Sequence, residues 1–236
     1  MMNCVWAVFE GGRLSEELYG EPYFEGRHSN YWWTVGNYWN LKCFPHWREI
    51  LRLIRRFKLG GKLLDIGCAY GFFVDATLDH FEAYGIDISQ FAVRKSKRCC
   101  RGSIFRASAI SLPFKEESFD VVTILDTLEH IPQLDQCLKD VTRVLKDEGV
   151  LFLQLPNPLI WTYICGRLCS CVGFEDETHI NDFGLQQWRR ILIEHGLELK
   201  KCLGMVAFAS RRVRFLLKSK KAVSLFPELW MIAKKC

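Results

Sequence analysis

The sequence predicts an α/β fold in which a mostly parallel sheet carries helices on both faces. Short apolar runs of strand length recur along the chain, amphipathic segments separate several of them, and glycines mark the turns between them. With 236 residues the chain is long enough for one such domain with a full core. Hydrophobic residues make up 49% and charged residues 25%, which is an ordinary globular composition.

The first 45 residues differ from the rest, because aromatic side chains are dense there and follow neither the period of a strand nor that of a helix. We expect this N-terminal extension to be a lid over a ligand pocket or a strap on the edge of the sheet. Tyr23 and Tyr31 are the lid candidates. Residues 46–236 form the main domain, which begins with an amphipathic helix on residues 47–57 that a pair of glycines ends.

A strand, a glycine-containing turn, a helix from residue 72 to about residue 80 and a second strand follow one another over residues 62–88. Gly67 and Gly71 lie in the turn, where they allow backbone to come close to a ligand. Asp87 ends the second strand, 20 residues after Gly67, at a spacing where a carboxylate accepts hydrogen bonds from both hydroxyls of a ribose. Such a unit holds its ligand in the crevice beyond the carboxyl ends of the strands.

The residues between the two glycines indicate which nucleoside is bound. A dinucleotide site has glycines at the positions of Gly67, Ala69 and Phe72, and this chain has only the first of them. Ala69 and Phe72 leave little room for a pyrophosphate. An acid before the first glycine and a second glycine after it suit a phosphate-free nucleoside with an amino-acid tail. The turn therefore favours S-adenosylmethionine, although a generic glycine turn of an α/β domain has the same pattern.

This turn resembles the first motif of the class I S-adenosylmethionine-dependent methyltransferases, which runs acid-x-Gly-x-x-x-Gly. The resemblance implies a Rossmann-like sheet of seven mostly parallel strands. The cofactor-binding residues that it implies are Asp65, Gly67, Cys68, Gly71, Asp87, Ile88, Ser108, Ala109 and Asp126. Ser108 stands where the family usually has an acid that accepts a hydrogen bond from the adenine amino group, so this bond should lack charge assistance.

The elements after the second strand follow from local patterns. Ser89 can cap a helix that ends near residue 98. Apolar runs predict strands at residues 103–107, 119–125 and 150–155, and an amphipathic helix on residues 134–145 joins the last two. The turn before the last of these strands is similar to a Leu-Lys-x-x-Gly sequence of the same family.

Two histidines are candidate general bases. His130 belongs to residues 126–131, which resemble a Leu-Glu-His-Ile/Val signature of methyltransferases that act on small molecules and quinone-type lipids. The same segment lacks the motifs of nucleic-acid base methyltransferases, so no nucleic-acid partner is expected. His179 lies in a segment similar to one in which related enzymes turn a histidine toward the acceptor. Each histidine has an alternative structural role, His130 in bonding backbone and His179 at the entry of a helix.

Residues 157–182 fall where the family inserts substrate-recognition elements, and we expect them to form a substrate cap. Their apolar part is irregular and too short to cross a membrane. Cys165, Cys169 and Cys171 lie within it, but their spacing does not fit the paired Cys-x-x-Cys pattern of zinc sites. The sequence therefore predicts no metal site.

The C-terminal part supplies two further strands, at residues 198–208 and 227–233, which would complete the seven-stranded sheet with an antiparallel edge. Between them, residues 211–226 mix arginine and lysine with bulky apolar side chains and contain no acid. Two interpretations remain open for this segment. It is either a peripheral surface for anionic lipid or an acidic substrate, or a solvated helix at the sheet edge.

Charge and cysteine usage bear on the compartment. The net charge of +5 is too small to indicate nucleic-acid binding by itself. The first nine residues lack the basic region of a secretory signal. The eleven cysteines show no spacing of a disulfide framework, which indicates free thiols and a cytoplasmic protein.

These observations predict a methyltransferase that moves the methyl group of S-adenosylmethionine to a small-molecule or lipid-like acceptor by in-line displacement. The sulfonium carbon is already electrophilic, so the protein mainly has to align the reacting atoms, which can contribute ~7–11 kcal/mol. A strong base is therefore optional. The alternatives are a non-catalytic protein that binds S-adenosylmethionine and a nicotinamide-dependent oxidoreductase. The pattern does not indicate the oligomeric state.

Overall fold

The computed structural model describes residues 18–26, 38–44, 46–157, 178–207, 214–217 and 228–236. The strands are, in chain order, β1 (Lys62–Ile66), β2 (Glu82–Asp87), β3 (Ser103–Arg106), β4 (Phe119–Leu125), β5 (Leu145–Pro156), β6 (Leu197–Ala207), β7 (Arg214–Leu217) and β8 (Glu228–Lys235). The helices are α1 (Glu21–Glu25), α2 (His46–Ile54), α3 (Phe72–Thr77), α4 (Gln90–Ser96), α5 (Leu134–Val144) and α6 (Leu185–Glu194). Short 3-10 turns cover Tyr38–Cys43 and Leu128–His130.

The described strands form one eight-stranded sheet in the order β3-β2-β1-β4-β5-β8-β6-β7. The first five strands of the chain pair in parallel. β8 runs antiparallel to β5, and β6 runs antiparallel to β8. The chain moves outward from β1 to β3 and then returns to the other side of β1 with β4. The crevice at this reversal is where open α/β sheets bind their ligands.

The central strands are buried on both faces, as the apolar runs predict for a parallel sheet. Leu64 of β1 packs in one apolar cluster with Trp188 of α6, whereas Leu63 packs in a second cluster with Ile50 of α2. Each of these side chains is at most 1% exposed. Because side chains alternate along a strand, α5 and α6 cover one face while α2 and α3 cover the other.

The α/β class is confirmed, and all seven predicted strands are present. β7 is an additional strand that pairs with β6 at the edge of the sheet. β8 lies between β5 and β6, within the antiparallel side of the sheet that the sequence predicts. An interior position suits β8, because its residues 229–233 are all buried apolar side chains.

Two element boundaries differ from those predicted. α3 ends at Thr77, earlier than expected, because the Thr77 carbonyl accepts the amide of Phe81 and the chain turns to bury that ring before β2. β5 begins at Leu145, earlier than expected, because Leu145 already pairs with Phe119. The register then shifts at a bulge where Glu148 has a φ angle of +57°.

Several predictions fall on segments that are only partly described. Most of the predicted substrate cap, residues 157–182, and most of residues 211–226 lie outside the described residues. Outside them also lie the lid candidate Tyr31 and the cysteines of the cap, Cys165, Cys169 and Cys171. Residues 214–217 form β7, so the interpretation of this basic segment as an edge helix is wrong at that point.

Two features of the described residues relate to the predicted compartment. Seven cysteines in this part of the chain carry free thiols, namely Cys43, Cys68, Cys99, Cys100, Cys137, Cys202 and Cys236. Over the same ranges, every helix falls short of the length and hydropathy that crossing a bilayer requires. The cytoplasmic location itself stays a prediction.

Candidate cofactor site

The turn after β1 fits closely against its neighbours. Gly67 and Gly71 have φ angles of +76° and +74°, in the left-handed region that favours glycine. A Cβ atom on Gly67 would collide with the side chain of Thr127. The amides of Gly67 and Cys68 both donate to the carbonyl of Ile86, at 2.8 and 3.0 Å. The backbone of the turn therefore requires glycine at both positions that the motif predicts.

Asp87 ends β2 beside this turn, and two backbone amides hold its carboxylate. The N–H of Ala69 donates to Oδ2 and the N–H of Ser89 donates to Oδ1, each at 2.8 Å. Burial raises the pKa of Asp87 to about 6, although the two amide bonds act in the opposite direction. Each oxygen keeps a lone pair beyond its amide bond, so the carboxylate can still accept hydrogen bonds from ribose hydroxyls.

Ala69 occupies a strained position in the turn. Its φ angle is +47°, which is uncommon for a residue with a Cβ atom. The same strained conformation directs the amide of Ala69 to Asp87. It therefore allows the hydrogen bond that orients Asp87, the residue predicted to bind the ribose.

Asp65 lies inside the sheet. It is 3% exposed, and the hydroxyl of Thr123 on β4 donates to its Oδ1 at 2.6 Å. Burial raises the pKa of Asp65 to about 7, with a further contribution from the charge of Asp87. The carboxyl group therefore links β1 to β4 beneath the turn, a position from which it supports the turn.

The other predicted cofactor residues differ in what they present to the crevice. Cys68 is 6% exposed, and its side chain packs in the apolar cluster beside α2. Only its backbone can therefore face the ligand crevice. Ile88 is half-buried directly after Asp87. Ser108 and Ala109 follow β3, and the hydroxyl of Ser108 accepts a 3.4 Å hydrogen bond from the amide of Ile110. This long bond leaves the hydroxyl available to an adenine.

The lid candidate Tyr23 lies on α1 next to a residue that the sequence does not single out. The ring of Tyr19 meets that of Tyr23 edge to face at 4.9 Å between centroids, and it lies 6.1 Å from the ring of His130. The carbonyl of Tyr19 accepts a 2.5 Å hydrogen bond from the hydroxyl of Ser89. Tyr19 therefore extends from the residue beside Asp87 to a predicted base. Among so many aromatics without periodicity, no pattern could have distinguished it.

Glu25 fixes the extension to the glycine turn. Its Oε1 accepts hydrogen bonds from the hydroxyl of Tyr70 at 2.8 Å, the indole of Trp39 at 3.1 Å and the ammonium of Lys95 at 2.9 Å. Burial alone would raise the pKa of Glu25, but these three donors outweigh it and lower the pKa. Because Tyr70 lies within the turn, the extension is bonded to the site itself.

The two predicted bases come together at the carboxyl end of β4. The rings of His130 and His179 lie 4.8 Å apart between centroids. Two backbone hydrogen bonds, from Ile180 and Asn181 to the carbonyl of Glu129 at 2.8 and 3.1 Å, dock the segment that carries His179.

Two atoms of Thr178 contact Nδ1 of His130. Nδ1 lies 3.2 Å from the Thr178 carbonyl and 2.8 Å from its hydroxyl. The carbonyl can only accept from Nδ1, whereas the hydroxyl can also donate to it, so the tautomer of the ring depends on which of the two contacts is made.

The same segment also brings together three groups of metal-ligand type. Oxygen and nitrogen atoms of Glu129, His130 and His179 all lie within 4.8 Å of one another. A carboxylate with two imidazoles can hold a divalent transition metal. The sequence predicts no metal site, but that prediction depends on the spacing of Cys165, Cys169 and Cys171. It therefore does not concern the group of Glu129, His130 and His179.

Asp126 stands at the end of β4, beside Thr127 and the glycine turn. Its φ angle is +46°, and its Oδ2 accepts a hydrogen bond from the side-chain amide of Gln154 on β5 at 2.6 Å. The structure therefore brings Asp65, Asp87 and Asp126 to the carboxyl ends of β1, β2 and β4, which are neighbours in the sheet.

Comparisons with known proteins agree with this geometry. Residues 64–153 match a family model described as a methyltransferase domain. Over 123 residues the chain is 32% identical to a demethylmenaquinone methyltransferase of Bacillus mycoides, covering 48% of this chain and 52% of that protein. It is 35% identical over 164 residues to a 27-O-demethylrifamycin SV methyltransferase of Amycolatopsis mediterranei, covering 61% and 56%. The chain thus spans about half the length of the curated relatives it matches.

The fold has solved counterparts as well. A structure of an S-adenosylmethionine-dependent methyltransferase from Thermotoga maritima superposes with a TM-score of 0.66 at 17% identity, covering 84% of this chain and 93% of that one. At this identity the likeness concerns the fold. Residues 64–153, which match the methyltransferase-domain model, thus lie within a fold of the S-adenosylmethionine-dependent methyltransferase type, the class that the sequence resembles. S-adenosylmethionine is the cofactor of this class.

Proposed function

We propose that the protein transfers the methyl group of S-adenosylmethionine to a small-molecule acceptor by in-line displacement. The observation that carries this proposal is the carboxylate of Asp87, which two amides orient at the carboxyl end of β2 beside the glycine turn. The site lies where the strand order reverses, between β1 and β4.

The residues of the site fit this cofactor. Asp87 would accept both ribose hydroxyls, and the turn from Gly67 to Gly71 would pass beside the methionine part. When bound, the cofactor supplies an electrophilic methyl group on a sulfonium. Tyr19 and Tyr23 would exclude water from this group, and their ring faces would attract its positive charge.

His130 is the proposed general base for an acceptor that must lose a proton. When its Nδ1 donates to the Thr178 carbonyl, Nε2 can take the proton as the acceptor attacks. His179, whose ring lies 4.8 Å away between centroids, is the second candidate for this role. An acceptor that is already deprotonated needs neither histidine, because alignment alone supplies much of the rate.

The acceptor class rests on the relatives. A demethylmenaquinone methyltransferase and a demethylrifamycin methyltransferase are among them, and both names denote acceptors outside the nucleic acids. We extend this to a small-molecule or lipid-like acceptor for the present chain. For a lipid-like acceptor, residues 211–226 would contribute a basic surface toward anionic lipid, and the protein would work in the cytoplasm.

The test is a labelling experiment. The protein is incubated with S-adenosylmethionine carrying a deuterated methyl group and with a metabolite and lipid extract, and mass spectrometry identifies any compound that gains the label. We expect labelled product from the wild type and none from Asp87→Ala. Binding of the cofactor without any labelled product would support the non-catalytic alternative. Stabilisation by NAD without stabilisation by S-adenosylmethionine would support the oxidoreductase.

A further inference from the structure

Asp126, Gln154 and Glu228 form a polar group at the ends of β4, β5 and β8. The amide of Asp126 donates to the carbonyl of Gln154 at 3.0 Å. Gln154 pairs with Trp230 across the antiparallel ladder, and Glu228 lies two residues before Trp230. Because paired residues share a face and side chains alternate along a strand, Gln154 and Glu228 project to the same face of the sheet.

This group presents hydrogen-bond acceptors. Asp126 is exposed and Glu228 is half-buried. Gln154 is 5% exposed, and its amide nitrogen donates to Asp126 at 2.6 Å. The amide oxygen of Gln154 lies beside this bond and meets no donor in the described part of the chain. A buried carbonyl oxygen without a donor is costly, so the position calls for a ligand that donates hydrogen bonds.

The electrostatics of the group favour a positive ligand. Burial and the charge of Asp126 raise the pKa of Glu228 to about 8. Neither carboxylate takes part in any of the ion pairs found among the described lysines, arginines and histidines. A cation between them would relieve the repulsion that opposes ionisation of both.

We propose that Asp126, Gln154 and Glu228 bind a protonated amine on the methyl acceptor. This inference rests on the proposed function and narrows its substrate class. An ammonium has three N–H donors and no acceptor, which matches two carboxylates and one amide oxygen. The acceptor then lies with its cationic end at this group and its reacting atom toward the methyl group beside the glycine turn.

The position of Glu228 in the sheet assigns the amine to the acceptor and not to the methionine tail of the cofactor, whereas Asp126, on β4 beside β1, is also a predicted cofactor-binding residue. From β1, which carries the glycine turn, the order runs through β4 and β5 to β8. Three strand spacings separate β1 from β8, which amounts to roughly 14 Å. Asp87 lies on the opposite side of β1, on β2. Glu228 is thus on the half of the sheet that the nucleoside leaves uncovered.

The experiment uses calorimetry on the full chain. Wild-type protein is first titrated with S-adenosylhomocysteine; if it does not bind, the proposed function fails independently of the amine site. Protein saturated with S-adenosylhomocysteine is then titrated with tyramine, agmatine and spermidine and with their neutral N-acylated counterparts. We expect at least one amine to bind at least about tenfold more tightly than its neutral counterpart.

Variants locate the site. Glu228→Gln keeps the size of the side chain and should weaken amine binding by about tenfold, whereas Glu198→Gln on β6 should leave it unchanged. Thermal melts confirm that both variants fold. Three results would overturn the proposal. The amines could bind no more tightly than their neutral counterparts, none of the amines could bind, or Glu228→Gln could bind the amine as tightly as the wild type does.

Two further arms separate other sources of positive charge. If Glu228→Gln weakens S-adenosylhomocysteine but not 5′-methylthioadenosine, which lacks the amino-acid tail, then the group serves the cofactor's own amine and the acceptor assignment is overturned. If amine binding disappears in EDTA and returns with Mg²⁺, a metal ion occupies the group, which also overturns it. We expect neither result.

Discussion

The carboxyl edge of the sheet has a nucleoside half, on β1 and β2, and an acceptor half, on β4, β5 and β8. The polar groups of the two halves differ in their hydrogen-bond partners. On the nucleoside half, the amides of Ala69 in the glycine turn and of Ser89 after β2 both donate to Asp87 at 2.8 Å. On the acceptor half, Gln154 donates to Asp126, the amide oxygen of Gln154 meets no donor in the described part of the chain, and the charge of Asp126 raises the pKa of Glu228. The first half is complete without a ligand, whereas the second calls for one. Under the proposed function, the cofactor site is preorganised and the acceptor supplies what the other half lacks.

The largest expected effect tests whether the nucleoside half is as tightly built as its geometry indicates. Gly67→Ala should destabilise the protein by about 3 kcal/mol, because it combines a positive φ with a collision against Thr127. Gly196→Ala is the matched control, since φ is +71° there and an added Cβ meets nothing within 4 Å. Urea denaturation should show a loss of about 1 kcal/mol in the free energy of unfolding for Gly196→Ala. Equal losses in both variants would contradict the close packing of the turn.

The next prediction concerns the preorganised carboxylate. Asp87→Ala should weaken S-adenosylhomocysteine by about a hundredfold, since two charge-assisted hydrogen bonds to ribose are lost. Isothermal titration calorimetry measures this, with the exposed Asp79→Ala as the control. An affinity within twofold of the wild type would show that the ribose lies elsewhere.

Asp65 gives the nucleoside half a dependence on pH. Burial raises its pKa from 3.8 to about 7, so folding favours the protonated form. The stability that this carboxyl contributes is present in full below pH 3.8 and is lost as pH rises through 7. Asp65→Asn, which stays neutral, should therefore lose less stability than the wild type between pH 5 and pH 8, by an amount on the order of 2 kcal/mol. The free energy of unfolding is measured by urea denaturation at each pH. If it fell equally with pH in the two proteins, the prediction would be contradicted.

A smaller effect tests the connection between the extension and the turn. Glu25→Ala should destabilise the protein by about 1 kcal/mol, because Tyr70, Trp39 and Lys95 lose their shared acceptor. Hydrogen exchange of residues 18–26 should become faster. Glu21→Ala, on the same helix but exposed, is the control. Unchanged exchange in Glu25→Ala would mean that aromatic packing alone holds the extension.

The same contrast explains what the sequence could predict. The nucleoside half is built from residues close together along the chain, so Gly67, Gly71 and Asp87 follow from local spacing and turn chemistry. The acceptor half depends on pairing between distant residues. Glu228 lies two residues from Trp230, the ladder partner of Gln154, only because β8 inserts antiparallel beside β5, and no local pattern encodes that register. The sequence also does not predict the role of Tyr19, because its contacts with Ser89 and His130 join residues that are distant along the chain.

The predicted fold shows a similar division. The parallel strands follow from apolar runs that are buried on both faces, as Leu63 and Leu64 illustrate. β7 was missed because arginine and bulky apolar residues mixed in one short segment suit a helix as well as an edge strand. The histidines His130 and His179 were identified separately by local motifs. Their convergence depends on the docking of Ile180 and Asn181 on Glu129, which lies far away in the sequence.

The most direct test of the central claim is a calorimetric titration of the wild-type chain with S-adenosylhomocysteine and, separately, with NAD. The proposed role of Asp87 as the ribose ligand predicts saturable binding of S-adenosylhomocysteine with one site per chain and no heat of binding from NAD. Binding of NAD without binding of S-adenosylhomocysteine would contradict the account.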